Sequence, residues 1–170
     1  LATVPNQPSG LGWLPDGRLL IVSMTDRKLL RLEASGELVE HADLSHIATW
    51  HCNDMVVDSI GRAYVGNFGY DIEVPGTEPV MAKLACVEPD GAVRVVAEDL
   101  HFPNGAVITP DGKTMIISET FGRKLTAFEI ASDGSLSNRR VWASIHPHFP
   151  DGICLDEAGG VWVADPGQSR

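Results

Sequence analysis

Apolar residues in this chain come in short runs separated by turns, with no stripe long enough for a helix. The segment "HFPNGAVITPDGKTMIISET" (101–120) sets the pattern: a polar residue, an apolar run, a turn ending in glycine, then a second apolar run. It aligns without a gap on "HFPDGICLDEAGGVWVADPG" (148–167), and two earlier copies follow the same plan, "QPSGLGWLPDGRLLIVSMT" (7–25) and "HCNDMVVDSIGRAYVGNFG" (51–69). The turn glycines Gly17, Gly61, Gly112 and Gly159 supply the positive φ that tight hairpins require. A second shape follows each of the first three copies. It runs "KLLRLEASGELVEHADL" (28–44), "KLACVEPDGAVRVVAEDL" (83–100) and "KLTAFEIASDGSLSNRRVWASI" (124–145), and reads as two strands around Gly36, Gly91 or Gly134. "DLSHIATW" (43–50) comes nearest to a helical period and is short.

Four strands per unit, repeated at intervals of about 40–50 residues, predict an all-β fold built from β-propeller blades. A β-sandwich would not repeat one phrase at a fixed spacing. The units begin near residues 7, 51, 101 and 148, so residues 1–170 form a partial propeller of about three and a half blades, with no second domain. "LATV" (1–4) reads as the last strand of a preceding blade, and the fourth copy stops halfway. Propellers close with about 4–8 blades, so the expectation is a piece of a longer chain. Alone, such a piece is expected to bind metal weakly and lack activity.

Composition narrows the function. The formal charge is −10, from 13 Lys+Arg against 23 Asp+Glu, which argues against a nucleic-acid partner. No apolar run approaches the roughly 18 residues of a membrane span, so no membrane partner is expected. Cys52, Cys86 and Cys154 show no CxxC spacing and read as buried small hydrophobes of a reducing compartment, which points to a cytoplasmic protein. Trp13, Trp142 and Trp162 lie in apolar runs and read as core, whereas Trp50 is close enough to Asn53 to reach a shared site.

The first strand of each blade lines a propeller's central channel. The repeat therefore brings Ser9, Asn53, Asn104 and Asp151 to corresponding positions around one funnel. Two carboxamides and a carboxylate offer hard oxygen ligands, suited to Ca²⁺ or another hard divalent ion. The competing reading makes Asn104-Gly105 and Asp151-Gly152 simple turns. His101 and His148 stand three residues before Asn104 and Asp151, either at the funnel rim facing substrate or filling the turn before Pro103 and Pro150. Phe102 and Phe149 read as packing residues, and Glu119 and Asp165 as acids at matched strand ends, solvated or supporting the site. His46, His51 and His146 lack a zinc-site spacing, and no GxSxG nucleophile is present.

These motifs carry a family likeness. "NGAVITPDGKTMIISET", "DGSLSNRRVWASI" and "PDGICLDEAGGVWVAD", with "CNDMVVDSIGRAYVGN" before them, resemble the regucalcin (senescence marker protein)/gluconolactonase family. The resemblance implies a six-bladed propeller with one axial divalent cation, most often Ca²⁺ with Zn²⁺, Mg²⁺ and Mn²⁺ as alternatives, hydrolysing small-molecule lactones or related esters. By motif, Asn104 and Asp151 would ligate the metal, Asn53 would ligate it or orient substrate, and Asp151 would be the general base. His51, Asn53, His101 and His148 would meet the substrate. The family's metal-binding Glu has no match in this chain. At His51 animal regucalcins carry an Arg that helps hold the sugar lactone, and this departure weighs against gluconolactone itself. The alternative is a non-catalytic ligand- or protein-binding propeller with a structural or regulatory calcium site.

Overall fold

A computed structural model describes residues 2–168. The Val-, Ile- and Leu-rich runs form strands, and the glycine turns between them reverse the chain. The first unit is a four-stranded antiparallel meander of β1 (Pro8–Trp13), β2 (Leu19–Ser23), β3 (Lys28–Leu32) and β4 (Leu38–Asp43). The second contains β5 (Cys52–Val57), β6 (Ala63–Asn67), β7 (Ala82–Val87) and β8 (Val93–Leu100), again in sequential order. The third contains β9 (Pro103–Ile108), β10 (Thr114–Glu119), β11 (Lys124–Ile130) and β12 (Leu136–Ser144). The fourth copy supplies a two-stranded sheet of β13 (Ile153–Leu155) and β14 (Val161–Val163), followed by a short 3₁₀ turn at Pro166–Gln168. No helix among the described residues is long and apolar enough to cross a membrane.

The sheets stack in series, and their first strands lie side by side: β1 against β5, β5 against β9, β9 against β13. Strand alternation explains how one sheet serves two neighbours. Val65 and Ala85 join Leu20, Val22 and Leu29 in the core between the first two sheets. The residues adjacent to them in sequence, Tyr64, Leu84 and Cys86, face the opposite way and pack on Met115, Ile117 and Phe128. Ile116, Leu125 and Ala127 then turn toward Ile153 and Val163 of the last sheet. A middle sheet buried on both faces gives continuous apolar runs, as parallel sheets do.

The first strands approach closely enough to need glycine. A Cβ on Gly10 would lie 2.7 Å from Asp54 Oδ1, and one on Gly105 would lie 2.6 Å from Gly152 Cα. Gly105 sits inside β9, so Asn104-Gly105 is a strand residue followed by a close crossing, not a turn.

Several sequence expectations change. Residues 2–7 form no strand, so "LATV" is not the end of a described sheet, and Leu1 lies outside the described residues. Trp13, Trp142 and Trp162 are 61%, 46% and 67% exposed. By alternation Trp13 shares the side of Leu19, opposite the side on which Gly12 meets Val57; Trp142 lies on the edge strand β12, and Trp162 on β14, which among the described residues pairs with β13 alone. Cys52 and Cys86 are buried as expected, but Cys154 on the two-stranded sheet is exposed. The gapless alignment of the last two copies slips at the turn. Thr109 N bonds Thr114 O across one more residue than Asp156 N to Gly160 O. This slip puts Glu119 opposite Asp165 in the repeat, and Ile116 opposite Trp162.

Candidate functional site

Asn53, Asn104 and Asp151 stand at the starts of consecutive first strands, and two hydrogen-bond links tie them in a row. Asn53 Nδ2 donates to Pro103 O at 3.1 Å, the carbonyl next to Asn104. Asn104 Nδ2 donates to Thr120 Oγ1 at 3.2 Å, and that hydroxyl donates in turn to Pro150 O at 2.8 Å, the carbonyl next to Asp151. Each side-chain amide thus spends a donor on the protein and keeps its Oδ1 as an acceptor. Asp151 is held through its backbone. Its N–H donates to Ala164 O at 2.9 Å, and its carbonyl accepts Ser118 Oγ at 2.6 Å and Gly105 N at 3.2 Å.

Asp54, which follows Asn53, was not singled out by the sequence. It stands where Gly10, Gly105 and Gly152 stand in the other copies, a substitution visible in the repeat. Its carboxylate occupies the space over Gly10 and accepts the Met55 N–H at 2.8 Å. Burial pushes the Asp54 carboxyl above its ordinary value against the pull of the Met55 N–H, and the charge of Asp151 pushes it the same way.

This donor set fits a hard divalent cation: two amide oxygens freed by the orientation of their NH₂ groups, the carboxylate of a residue anchored through its backbone, and a second carboxylate nearby. Among the described residues no three His, Cys, Asp or Glu side chains gather as a metal-binding group, so a thiolate- or imidazole-rich centre is not formed. His46 and His146 are exposed. Ser9 is half-buried at the start of β1.

The histidines take different places. His51 stacks on Trp50, ring centroids 4.8 Å apart, and tilts against Phe68 at 5.9 Å. His101 tilts against Phe121 at 5.9 Å. His148 is half-exposed and donates from Nδ1 to Asp165 Oδ2 at 2.7 Å. Burial alone would raise the Asp165 carboxyl, but the donors His148, Gly167 and Phe149 together hold it below its ordinary value.

Glu119 proves to be neither solvated nor marginal. It is 1% exposed, accepts the His101 N–H at 2.8 Å and the Thr126 hydroxyl at 2.5 Å, and pairs with Lys124 at 3.4 Å and Arg139 at 3.3 Å. It fixes the turn that leads into Asn104. Phe102 there has φ 62°, a left-handed conformation rare for an aromatic residue.

Known proteins share this architecture. The model of the SMP-30/gluconolactonase/LRE-like region matches residues 2–170. The lactonase drp35 of Staphylococcus epidermidis is 29% identical over 180 residues, covering 99% of this chain and 53% of that protein. A solved gluconolactonase of Xanthomonas campestris superposes with a TM-score of 0.77 at 26% identity, covering 96% of this chain and 58% of that one. A calcium-binding regucalcin of Agrobacterium tumefaciens gives a TM-score of 0.75 at 24% identity, over 95% of this chain and 54% of that one. The chain spans about half the length of the curated relatives it matches. With residues 2–170 matched throughout, the chain belongs to the SMP-30/gluconolactonase/LRE-like family.

Proposed function

We propose that the chain forms part of a six-bladed β-propeller hydrolase that opens lactones or related esters. Its four sheets would be successive blades, with β1, β5, β9 and β13 lining the central channel. The observation that carries this reading is the hydrogen-bonded row of Asn53, Asn104 and Asp151, which leaves oxygen ligands free at matched positions. Family relatives bear lactonase names, and one structural neighbour is described as calcium-binding.

Asn104 and Asp151 would hold a divalent cation, with Asn53 as a further ligand or as a contact to substrate. Such an ion, Ca²⁺ by the hardness of these ligands, supplies Lewis-acid polarisation of an ester carbonyl. The chain's own work is positional and protonic. Asp151 takes a proton from the attacking water as its oxygen bonds to the carbonyl carbon. When the ring C–O bond breaks, the same carboxyl returns that proton to the departing alkoxide, leaving a hydroxy acid. The three backbone hydrogen bonds that fix Asp151 keep its carboxylate placed for both transfers. His51, His101 and His148 would border the entrance.

The test is hydrolysis of a lactone panel by the full-length protein, with Ca²⁺ and after chelation. Turnover should require the ion and fall about 10³-fold in Asp151→Ala. Turnover that survives both treatments would contradict this assignment and favour a binding propeller.

A further inference from the structure

Beside the polar row runs a row of rings that the hydrolytic chemistry does not use. Trp50, His51, Phe68, Phe102, Phe121 and Phe149 form a continuous series. Phe68 and Phe102 stack at 4.5 Å, Phe102 meets Phe121 edge-on at 4.8 Å, and Phe121 meets Phe149 edge-on at 6.4 Å. His51, Phe102 and Phe149 each stand two residues before Asn53, Asn104 and Asp151, so the row follows the site residue by residue. Phe102, the central and buried ring, is the residue held at φ 62°. Such strain persists only where the surroundings over-determine it.

The far end of the row opens on an apolar pocket of ≈ 380 Å³ lined by Thr120, Phe121, Phe149, Pro166 and Gly167. Thr120 is the hydroxyl that bridges Asn104 to the Asp151 segment, so this pocket adjoins the candidate site. Tyr70 approaches Phe121 at 6.3 Å from the β6–β7 connection, which carries the exposed apolar side chains Ile72, Val74, Val80 and Met81.

Within the pocket itself polar side chains are few. The Thr120 hydroxyl donates to Pro150 O, and beside Phe149 the His148 Nδ1 donates to Asp165. The Arg123 guanidinium lies 4.4 Å from the Phe149 ring centroid, over its face. A polyhydroxylated ring needs free donors and acceptors for each hydroxyl it buries, and leaving them unmatched costs affinity. An apolar substituent needs only ring faces, which this wall supplies.

We infer that the site takes lactones or esters carrying an apolar, ring-sized substituent in preference to polyhydroxylated sugar lactones, with Phe121 and Phe149 as the specificity-determining residues. This inference rests on the hydrolase reading above, and its test separates the two. Two six-membered lactams, which mimic the lactone ring and resist hydrolysis, serve as probes: one bears a phenyl group, the other a hydroxyl on every available ring carbon. Their binding to the full-length protein is measured by calorimetry, and hydrolysis of the matching lactones is followed in parallel. The phenyl lactam should bind at least about tenfold more tightly, a margin typical of one apolar contact site. The Phe121→Ala/Phe149→Ala double variant should lose that preference while still binding Ca²⁺. Equal or tighter binding of the hydroxylated lactam to the unmodified protein would overturn the inference, whatever the variant does. Turnover of both lactones without preference would overturn it and leave the hydrolase intact. A phenyl-lactam preference without turnover of either lactone would uphold the apolar wall and overturn the hydrolase.

Discussion

The phrases "HFPNG" at 101–105 and "HFPDG" at 148–152 are nearly one sequence in two settings. Around the first, a complete four-stranded sheet and a neighbour on either face bury Phe102 and Glu119. Around the second, a two-stranded sheet leaves Phe149 half-buried and His148 half-exposed. What repeats is the part dictated by local sequence: strand start, turn, and an acid at the end of the second strand. What differs is the part dictated by neighbouring sheets. Glu119 receives a backbone N–H, a hydroxyl and two cations in the interior, whereas Asp165 receives one histidine and the local Phe149 and Gly167 N–H groups near solvent.

The largest effect expected from this comparison is on turnover, because the single residue that differs within the phrase is a carboxylate in one copy and an amide in the other. Asp151→Asn keeps an oxygen ligand but removes the base, and should lower lactone turnover about 10³-fold with Ca²⁺ binding largely kept. Adding Asn104→Asp to that variant should not restore the rate, since a carboxylate at 104 lacks the Ser118 hydroxyl and Gly105 N–H that fix Asp151. Restored turnover would mean that the two copies are interchangeable.

On stability, Glu119→Ala should cost about 3 kcal/mol in denaturant unfolding, because it strands buried donors and two cations. Asp165→Ala should leave the unfolding midpoint close to that of the unmodified protein. A similar pattern should separate the matched apolar positions. Ile116→Ala should cost about 3 kcal/mol, and Trp162→Ala, at 67% exposed, under about 1 kcal/mol. Equal losses at 116 and 162 would show that the two-stranded sheet is covered as fully as the complete one.

Thiol chemistry gives the smallest and simplest contrast. Burial pushes the Cys52 thiol up to about 12 and the Cys86 thiol up to about 11, so neither offers thiolate at pH 8. Exposed Cys154 should react at once with a thiol reagent, and the other two only on unfolding. Rapid labelling of Cys52 in the folded protein would contradict its burial.

Strands, glycine turns and the repeat register were legible in the sequence because each depends on residues within one hairpin. The matched placement of Asn53, Asn104 and Asp151 was legible for the same reason, since a repeat maps equal positions onto equal places. Other features depend on contacts across sheets. The three tryptophans lie in apolar runs that resemble core strands, yet exposure depends on whether another sheet covers that face or edge. Glu119 gains its partners Arg139 and Lys124 through strand pairing, and the Phe68–Phe102–Phe121 row through loops that converge from different sheets. The one-residue slip at the Thr109–Thr114 turn was hidden because both copies keep a glycine there. Asp54 was open to detection, as the only non-glycine after the repeated polar residue, but its burial beside Asp151 was not.

On the proposed reading Asn104 and Asp151 hold one hard cation, with Asn53 as a further ligand or a contact to substrate. Calorimetric titration of Ca²⁺ into the full-length protein, beside Asp151→Ala, tests it most directly. One site per chain is predicted, weakened more than about 100-fold by the substitution, beyond the about 10–100-fold typical of an outer-shell change. Binding that is absent, or equal in the two proteins, would contradict the claim.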